Sequence, residues 1–132
     1  MSFYVAAYGR KFIDLTPGID SLGHADKMQE CIDNCNNTAK CCQEALNYIN
    51  SQGNKFPADL RNALSDCIAS CKLSVDYMQR GSVFHKDACA FCAEICCACH
   101  ELCAKFDDAI LVKCAAACLL SEKSCRVMAE HH

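Results

Sequence analysis

Cysteines spaced four residues apart recur along this chain, and this spacing constrains its fold more than any other feature. Five such pairs occur in segments rich in Ala, Leu, Lys, Glu and Met: Cys31/Cys35, Cys67/Cys71, Cys92/Cys96, Cys99/Cys103 and Cys114/Cys118. Residues four positions apart lie on the same face of an α-helix. The pairs therefore predict helices that each carry a face lined with sulfur.

Turn-forming residues divide the chain into long helical segments. They lie at 50–57, at 80–82 and at 107–108. Between them the pattern predicts four helices, at about 22–50, 57–79, 83–105 and 108–130. Short connections favour antiparallel neighbours, so we predict an all-α, antiparallel up-down-up-down four-helix bundle over residues 22–132. Residues 1–21, which contain four aromatic residues, are predicted to form a separate N-terminal segment with a short helix that packs on the bundle or on a partner.

Helical phase places most of the cysteines on one face of each helix. The third helix carries five of them in steps of three and four, the spacing of a heptad core: Cys89, Cys92, Cys96, Cys99 and Cys103. The inward faces of the other helices carry Cys31, Cys35, Cys42, Cys67, Cys71, Cys114, Cys118 and Cys125. Cys41 and Cys97 lie about 80° from these faces and are predicted at helix–helix interfaces. The predicted core is a tube of thiols.

Composition excludes several classes of protein. The 132 residues have a net charge of −3 and 22% charged residues, which argues against nucleic-acid binding and against a disordered polyelectrolyte. No apolar run approaches the ~18 residues of a membrane span. The number of cysteines, 15, is odd, and the N-terminus has no secretory signal pattern, so we expect a cytoplasmic protein rather than a secreted disulfide scaffold. An exported form with its leader removed is the alternative.

Paired thiols on a helix suit soft metal ions. Cβ atoms four residues apart are separated by about 5–6 Å, whereas a disulfide requires about 3.5–4.5 Å. Thiolates select Cu(I), zinc or iron–sulfur clusters. Zinc favours closed sets of four ligands, whereas a continuous ladder of thiols suits many Cu(I) ions. Because buried thiolates are costly without cations, we expect the reduced, metal-free chain to be folded with neutral thiols.

With these five pairs and this division into four helices, residues 24–130 resemble the bacterial copper storage proteins. The resemblance implies a four-helix bundle whose inward cysteines bind multiple Cu(I) ions, and it implies a homo-tetramer. We therefore predict a Cu(I) storage and buffering protein rather than an enzyme, with all fifteen cysteines, including Cys41 and Cys97, as metal ligands. Its copper donors and acceptors are expected to be proteins or small chelators that are not identified. The sequence departs from an unbroken sulfur ladder at Thr38, Ser74 and Ser121, which occupy inward positions.

The two ends of the predicted bundle differ in chemistry. At one end the inward faces continue into His24, Met28, Met78, His85 and Met128. Thioether and imidazole bind Cu(I) more weakly than thiolate, so we predict a copper entrance there; the alternative is ordinary core packing by methionine. His131 and His132 either extend this entrance or belong to a fraying or tag-derived terminus. The opposite end is predicted to be an apolar plug of Leu46, Ile49, Leu60, Leu64, Ile110 and Leu111.

Several alternatives use the same residues. The run from Cys96 to His100 matches the C-x-x-C-H haem-attachment pattern, and Cys89 to Cys99 imitates a ferredoxin run, although a continuous helix does not fold four sulfurs around a cluster. His100 is predicted either as an extra nitrogen ligand or as a hydrogen-bonded core histidine. The remaining alternatives to copper storage are a metallothionein-like zinc or cadmium buffer, a thiol redox or iron–sulfur electron carrier, and a structural bundle with inert thiols.

Overall fold

Four α-helices form the part of the chain that the structure, a computed structural model, describes: residues 17–130, with side chains from residue 23 onward. The segment 1–16, with the aromatic residues predicted to pack on the bundle or a partner, and the terminal His131 and His132 lie outside the described residues. The helices are α1 (Pro17–Ser51), α2 (Ala58–Gln79), α3 (His85–Cys103) and α4 (Ala109–Glu130).

Each helix packs against two neighbours. α1 contacts α2 and α4, and α3 contacts the same two helices. Within residues 17–130 the diagonal pairs, α1 with α3 and α2 with α4, make no close backbone approach. With short connections between consecutive helices, this arrangement confirms the predicted antiparallel four-helix bundle. None of the described helices combines the length and the hydropathy needed to cross a lipid bilayer.

α1 begins earlier than the sequence pattern predicts, at Pro17 instead of near residue 22. Proline fits the first position of a helix because the missing N–H has no helical partner there and its φ is already helical. Two glycines in the first turns lower the helix propensity of this stretch, so the sequence pattern becomes clear only after them. Residues 17–21 therefore extend α1 instead of belonging to a separate segment.

The stop predicted after α2 is built on Gly81. This residue has a φ of 66°, a left-handed conformation that favours glycine. The N–H of Ser82 donates to the carbonyl of Tyr77 at 2.9 Å, and that of Gly81 to the carbonyl of Met78 at 3.2 Å. These two bonds form a Schellman motif, which satisfies the last carbonyls of the helix and directs the chain into α3.

Asp108 immediately precedes α4, as predicted, but its side chain does not cap the helix. Its carbonyl accepts the N–H groups of Leu111 and Val112, both at 2.9 Å. Its carboxylate instead accepts the hydroxyl of Tyr48 at 2.5 Å. The hydrogen bond therefore ties α1 to the start of α4 at the end of the bundle that was predicted to be apolar.

This end is closed by packed apolar side chains. Phe56 lies between Tyr48 and Phe106, with ring centroids 5.9 and 5.3 Å away. The fully buried residues here are Ile49, Leu60, Leu64 and Leu111. Leu46 and Ile110 are partly buried against them. These side chains form the predicted plug.

Replacing Leu64 by Ala should lower the free energy of unfolding by about 2–5 kcal/mol, because its fully buried side chain would leave a cavity in the plug. Leu120→Ala is the matched control; Leu120 is 54% exposed, and its change should stay within about 0.5 kcal/mol. Urea unfolding of the reduced, metal-free proteins, followed by circular dichroism, measures both. A random-coil spectrum of the unsubstituted protein, or equal losses in the two variants, would contradict this packing.

Candidate metal site

The core between the plug and the opposite end is lined by sulfur. All fifteen cysteines are free thiols. Thirteen of them have no exposed surface: Cys31, Cys35, Cys42, Cys67, Cys71, Cys89, Cys92, Cys96, Cys99, Cys103, Cys114, Cys118 and Cys125. Their closest sulfur–sulfur contacts run from 3.5 Å between Cys35 and Cys125 to 3.9 Å between Cys67 and Cys118. These are contacts between thiols, because a disulfide bond would be about 2.05 Å long.

Twelve of the buried thiols form four groups, in each of which all sulfur atoms lie within 4.8 Å of one another. In order toward the plug, the group nearest the predicted entrance, called the entrance group, is Cys31, Cys89 and Cys125; the second group is Cys35, Cys71 and Cys92; the third group is Cys67, Cys71 and Cys96; and the deep group is Cys42, Cys99, Cys114 and Cys118. Cys71 belongs to two groups. The thirteenth thiol, Cys103, hydrogen-bonds to Cys114 and Cys99 and extends the deep group toward the plug.

α3 supplies one thiol to each group. Cys89, Cys92, Cys96 and Cys99 belong in this order to the entrance, second, third and deep groups. Each step of three or four residues advances about 4.5–6 Å along the helix axis. The residues that imitate a ferredoxin run are therefore spread along the tube and do not converge on one cluster, and the two thiols of the C-x-x-C-H match lie in different groups.

Three inward positions carry hydroxyl groups that bond to the backbone. Thr38 donates to the carbonyl of Ala117 on α4 at 2.9 Å, and Ser121 donates to the carbonyl of Asn34 on α1, also at 2.9 Å. The hydroxyl oxygens of Thr38 and Ser121 also lie in close contact with each other. Ser74 donates to a carbonyl of α3 at 3.2 Å. Backbone carbonyls accept the protons of these hydroxyls, whose oxygens are harder and poorer ligands for a soft ion than sulfur.

Cys41 and Cys97 lie at helix–helix interfaces, as their helical phase predicts. Cys41 is 2% exposed and faces the side of α4 that carries Lys113. Cys97 is half-buried between α3 and α4, and its thiol donates to Glu101 at 3.8 Å. Burial raises the pKa of both thiols. Neither belongs to the four sulfur groups.

Shared protons set the pKa values of the deep group. Hydrogen bonding to Cys114 raises the pKa of Cys42 and of Cys118. The sulfur that accepts such bonds is stabilised as a thiolate: hydrogen bonds from Cys103 and Cys118 lower the pKa of Cys114 to about 5. Thiols with a raised pKa therefore lie beside a thiol with a lowered pKa. An incoming metal ion would displace the remaining protons.

The predicted entrance residues lie at the end of the bundle beyond the entrance group. Met78 and Met128 are buried there, and Met28, His24 and His85 are partly buried. The rings of the two histidines are 6.5 Å apart between centroids. Their placement at one end follows from the antiparallel order of the helices.

His85 has a ring nitrogen that is suited to bind a metal. Its Nδ1 lies 3.0 Å from the carbonyl of Ser82, so the ring proton is donated there. Its Nε2 is buried, and within the described residues it is the one buried side-chain nitrogen or oxygen without a hydrogen-bond partner. Metal-binding histidines commonly donate one ring N–H to a carbonyl and present the other nitrogen to the ion.

His100 takes a different position from these ligands. Its Nδ1 lies 2.9 Å from the carbonyl of Ala115, which links α3 to α4, and the residue is half-buried. It belongs to none of the four sulfur groups. The structure therefore gives His100 a hydrogen bond between helices and no place in the sulfur tube.

Comparisons with known proteins agree with this geometry. The sequence model of the family described as copper storage protein matches residues 24–130. The chain is 35% identical over 101 residues to the cysteine-rich protein YhjQ of Bacillus subtilis, covering 76% of this chain and 87% of the relative. Its fold is similar to that of the Nmul_A1745 protein of Nitrosospira multiformis, with 33% identity, a TM-score of 0.75, and coverage of 80% and 96% of the two chains. It is also similar to the Cu(I)-bound copper storage protein BsCsp3, with 32% identity, a TM-score of 0.75, and coverage of 78% and 98%. The chain thus belongs to the copper storage protein family, as its cysteine pairs predict.

Proposed function

We propose that this chain stores and buffers Cu(I), and that it binds many ions through its core thiolates without catalysing a reaction. The observation that carries the proposal is a column of thirteen fully buried thiols with no charged side chain buried among residues 23–130. Thiolates in such a core need cations as partners. One Cu(I) ion per thiolate leaves the tube neutral, since each ion displaces one proton. A Cu(I)-bound structural relative supports the same metal.

Charge also favours Cu(I) over zinc or cadmium. The four thiols of the deep group could surround one tetrahedral ion. Four thiolates around a divalent cation, however, would leave two negative charges where no cationic side chain is buried to balance them. The second and third groups hold three thiols each and share Cys71, so they do not form further closed sets of four. Only the deep group could therefore surround a zinc or cadmium ion with four thiolates.

We further propose that copper enters and leaves beside the entrance group. The supporting observation is His85, whose buried Nε2 has a free lone pair aimed away from its Ser82 partner. The three methionines at the same end offer thioether sulfurs, which bind Cu(I) more weakly than thiolates. Weak ligands at an entrance allow rapid exchange, whereas the thiolates deeper in the tube retain the ion.

Location and assembly complete the proposal. We place the protein in the cytoplasm as a homo-tetramer that exchanges copper with donor and acceptor proteins or with small chelators. Phe84, which precedes the first residue of α3, and Phe91, seven residues later, are 61% and 58% exposed, which supports contact with another copy. Sedimentation equilibrium of the reduced protein should give four times the 14.5 kDa chain mass, and a monomer mass would contradict the assembly.

Anaerobic titration of the reduced protein with Cu(I), against a competing chelator, should show tight binding of close to one ion per cysteine. The reason is that the sulfur groups are continuous and each thiolate can share a low-coordinate ion with its neighbours. A parallel titration with Zn(II) should saturate at about one ion per deep group. Saturation with Cu(I) at about two or three ions would indicate discrete four-ligand sites and would contradict storage.

Replacing Met28, Met78 and Met128 together by Leu should slow copper uptake from the first ion onward and leave the final capacity almost unchanged. Leu matches Met in volume, so each exchange should cost less than about 1.5 kcal/mol of stability. His85→Leu should have the same kinetic effect. The control is Leu60→Met in the plug, which makes the reverse exchange at the other end. Stopped-flow loss of a Cu(I)–chelator absorbance measures the rates; equal rates in all variants would rule out this entrance.

A further inference from the structure

The third group differs from the other three because two helices alone build it. Cys67 and Cys71 come from α2 and Cys96 from α3. At this level α1 and α4 present Thr38 and Ser121, one between Cys35 and Cys42 and the other between Cys118 and Cys125. The sulfur lining is therefore complete around the α2–α3 side and interrupted on the α1–α4 side.

The interruption is fixed by hydrogen bonds. Thr38 and Ser121 are fully buried, they contact each other, and each donates across to the backbone of the opposite helix at 2.9 Å. Beside them, Asn34 donates its amide to Ser124 at 3.2 Å. The hydroxyls are therefore held in place by partners on the opposite helices, and turning either one toward the tube would break its hydrogen bond to the backbone.

The thiols on the α2–α3 side form a continuous chain of contacts. Cys71 contacts Cys92 at 3.7 Å and Cys96 at 3.9 Å. Cys96 contacts Cys67 at 3.7 Å. Among the described residues, Cys67 is the one thiol of the other groups that contacts the deep group: its sulfur lies 3.9 Å from that of Cys118, and it also hydrogen-bonds to Cys42.

We infer that copper reaches the deep group by one route, along α2 and α3, and that Cys67 is the thiol that passes each ion across. The inference rests on the proposed storage of Cu(I). An ion without ligands cannot cross a core in which no charged side chain is buried, so it must move from one sulfur to the next. In each transfer the receiving thiol loses its proton and forms a Cu–S bond, while the releasing sulfur loses its Cu–S bond and takes a proton back. Copper stays Cu(I) throughout.

The Thr38–Ser121 pair then blocks copper transfer on the α1–α4 side of the tube and confines it to the thiols of α2 and α3. Oxygen is a poor ligand for a soft ion, and both hydroxyls already have backbone partners. Cys41 is the residue before Cys42 of the deep group, but it lies at the α1–α4 interface outside the tube and is 2% exposed. Copper therefore has no second route through Cys41.

The test counts copper ions per chain over time by native mass spectrometry, with Cu(I) supplied anaerobically as a chelator complex to the reduced full-length protein. Cys67→Ser should fill the outer groups at the unsubstituted rate and then stall, with the remaining ions arriving at least about tenfold more slowly, which corresponds to ~1.4 kcal/mol of added barrier. Cys41→Ser is the matched control and should lose no more than one ion while loading without a stall. Circular dichroism of both metal-free variants checks that they are folded.

A second pair of variants tests the barrier without removing any thiol. Ser121→Cys adds a sulfur across the interruption, so it should remove the stall of Cys67→Ser and, in the otherwise unsubstituted chain, speed the uptake of the last ions. Ser124→Cys makes the same exchange one turn nearer the entrance and should do neither. Loading of Cys67→Ser without a stall, an equal stall in Cys41→Ser, or no effect of Ser121→Cys would overturn the route. If the unsubstituted protein itself takes up only a few ions, the storage function fails instead.

Discussion

Sulfur atoms in contact inside a core without charge are the constraint on which the rest of this molecule depends. Thiols 3.5–3.9 Å apart can share protons, but they cannot all ionise without cations. The plug of Ile, Leu and Phe residues supplies apolar burial at one end of the bundle. The same arrangement makes the thiolate core receptive to a soft monovalent ion, because each ion brings one positive charge for each proton that leaves.

Helix geometry arranges the copper-binding thiols in successive groups along the bundle axis. α3 places one cysteine in each sulfur group, and thiols of the other three helices complete the groups. At the level where α1 and α4 bring Thr38 and Ser121 together, only α2 and α3 contribute thiols to the core. The inward hydroxyls therefore determine which thiols a copper ion can reach. The number of cysteines determines how many ions the tube binds.

The sequence predicts the bundle and the inward cysteines well, because a spacing of three and four residues fixes helical phase directly. It places the start of α1 too late, since glycines obscure the first turns and Pro17 is compatible with either side of a helix boundary. The spacing within each helix also does not distinguish the core cysteines from one another. The sharing of Cys71 between two groups and the single link through Cys67 depend on the relative register of different helices, which no spacing within one helix reveals. The partners of Thr38 and Ser121 are backbone carbonyls on the opposite helix, so residue identity carries no signal for them.

Anomalous diffraction at the copper edge, from crystals of the fully loaded protein, tests the central claim most directly. The account predicts copper positions along the bundle axis, each bound by the thiolates of one or two adjacent sulfur groups, and none between Thr38 and Ser121. A column of ions that stays inside the tube would also show that the core thiols act as ligands and do not merely fill space. Copper found mainly on the surface, or only one ion in the deep group with the other groups vacant, would contradict it.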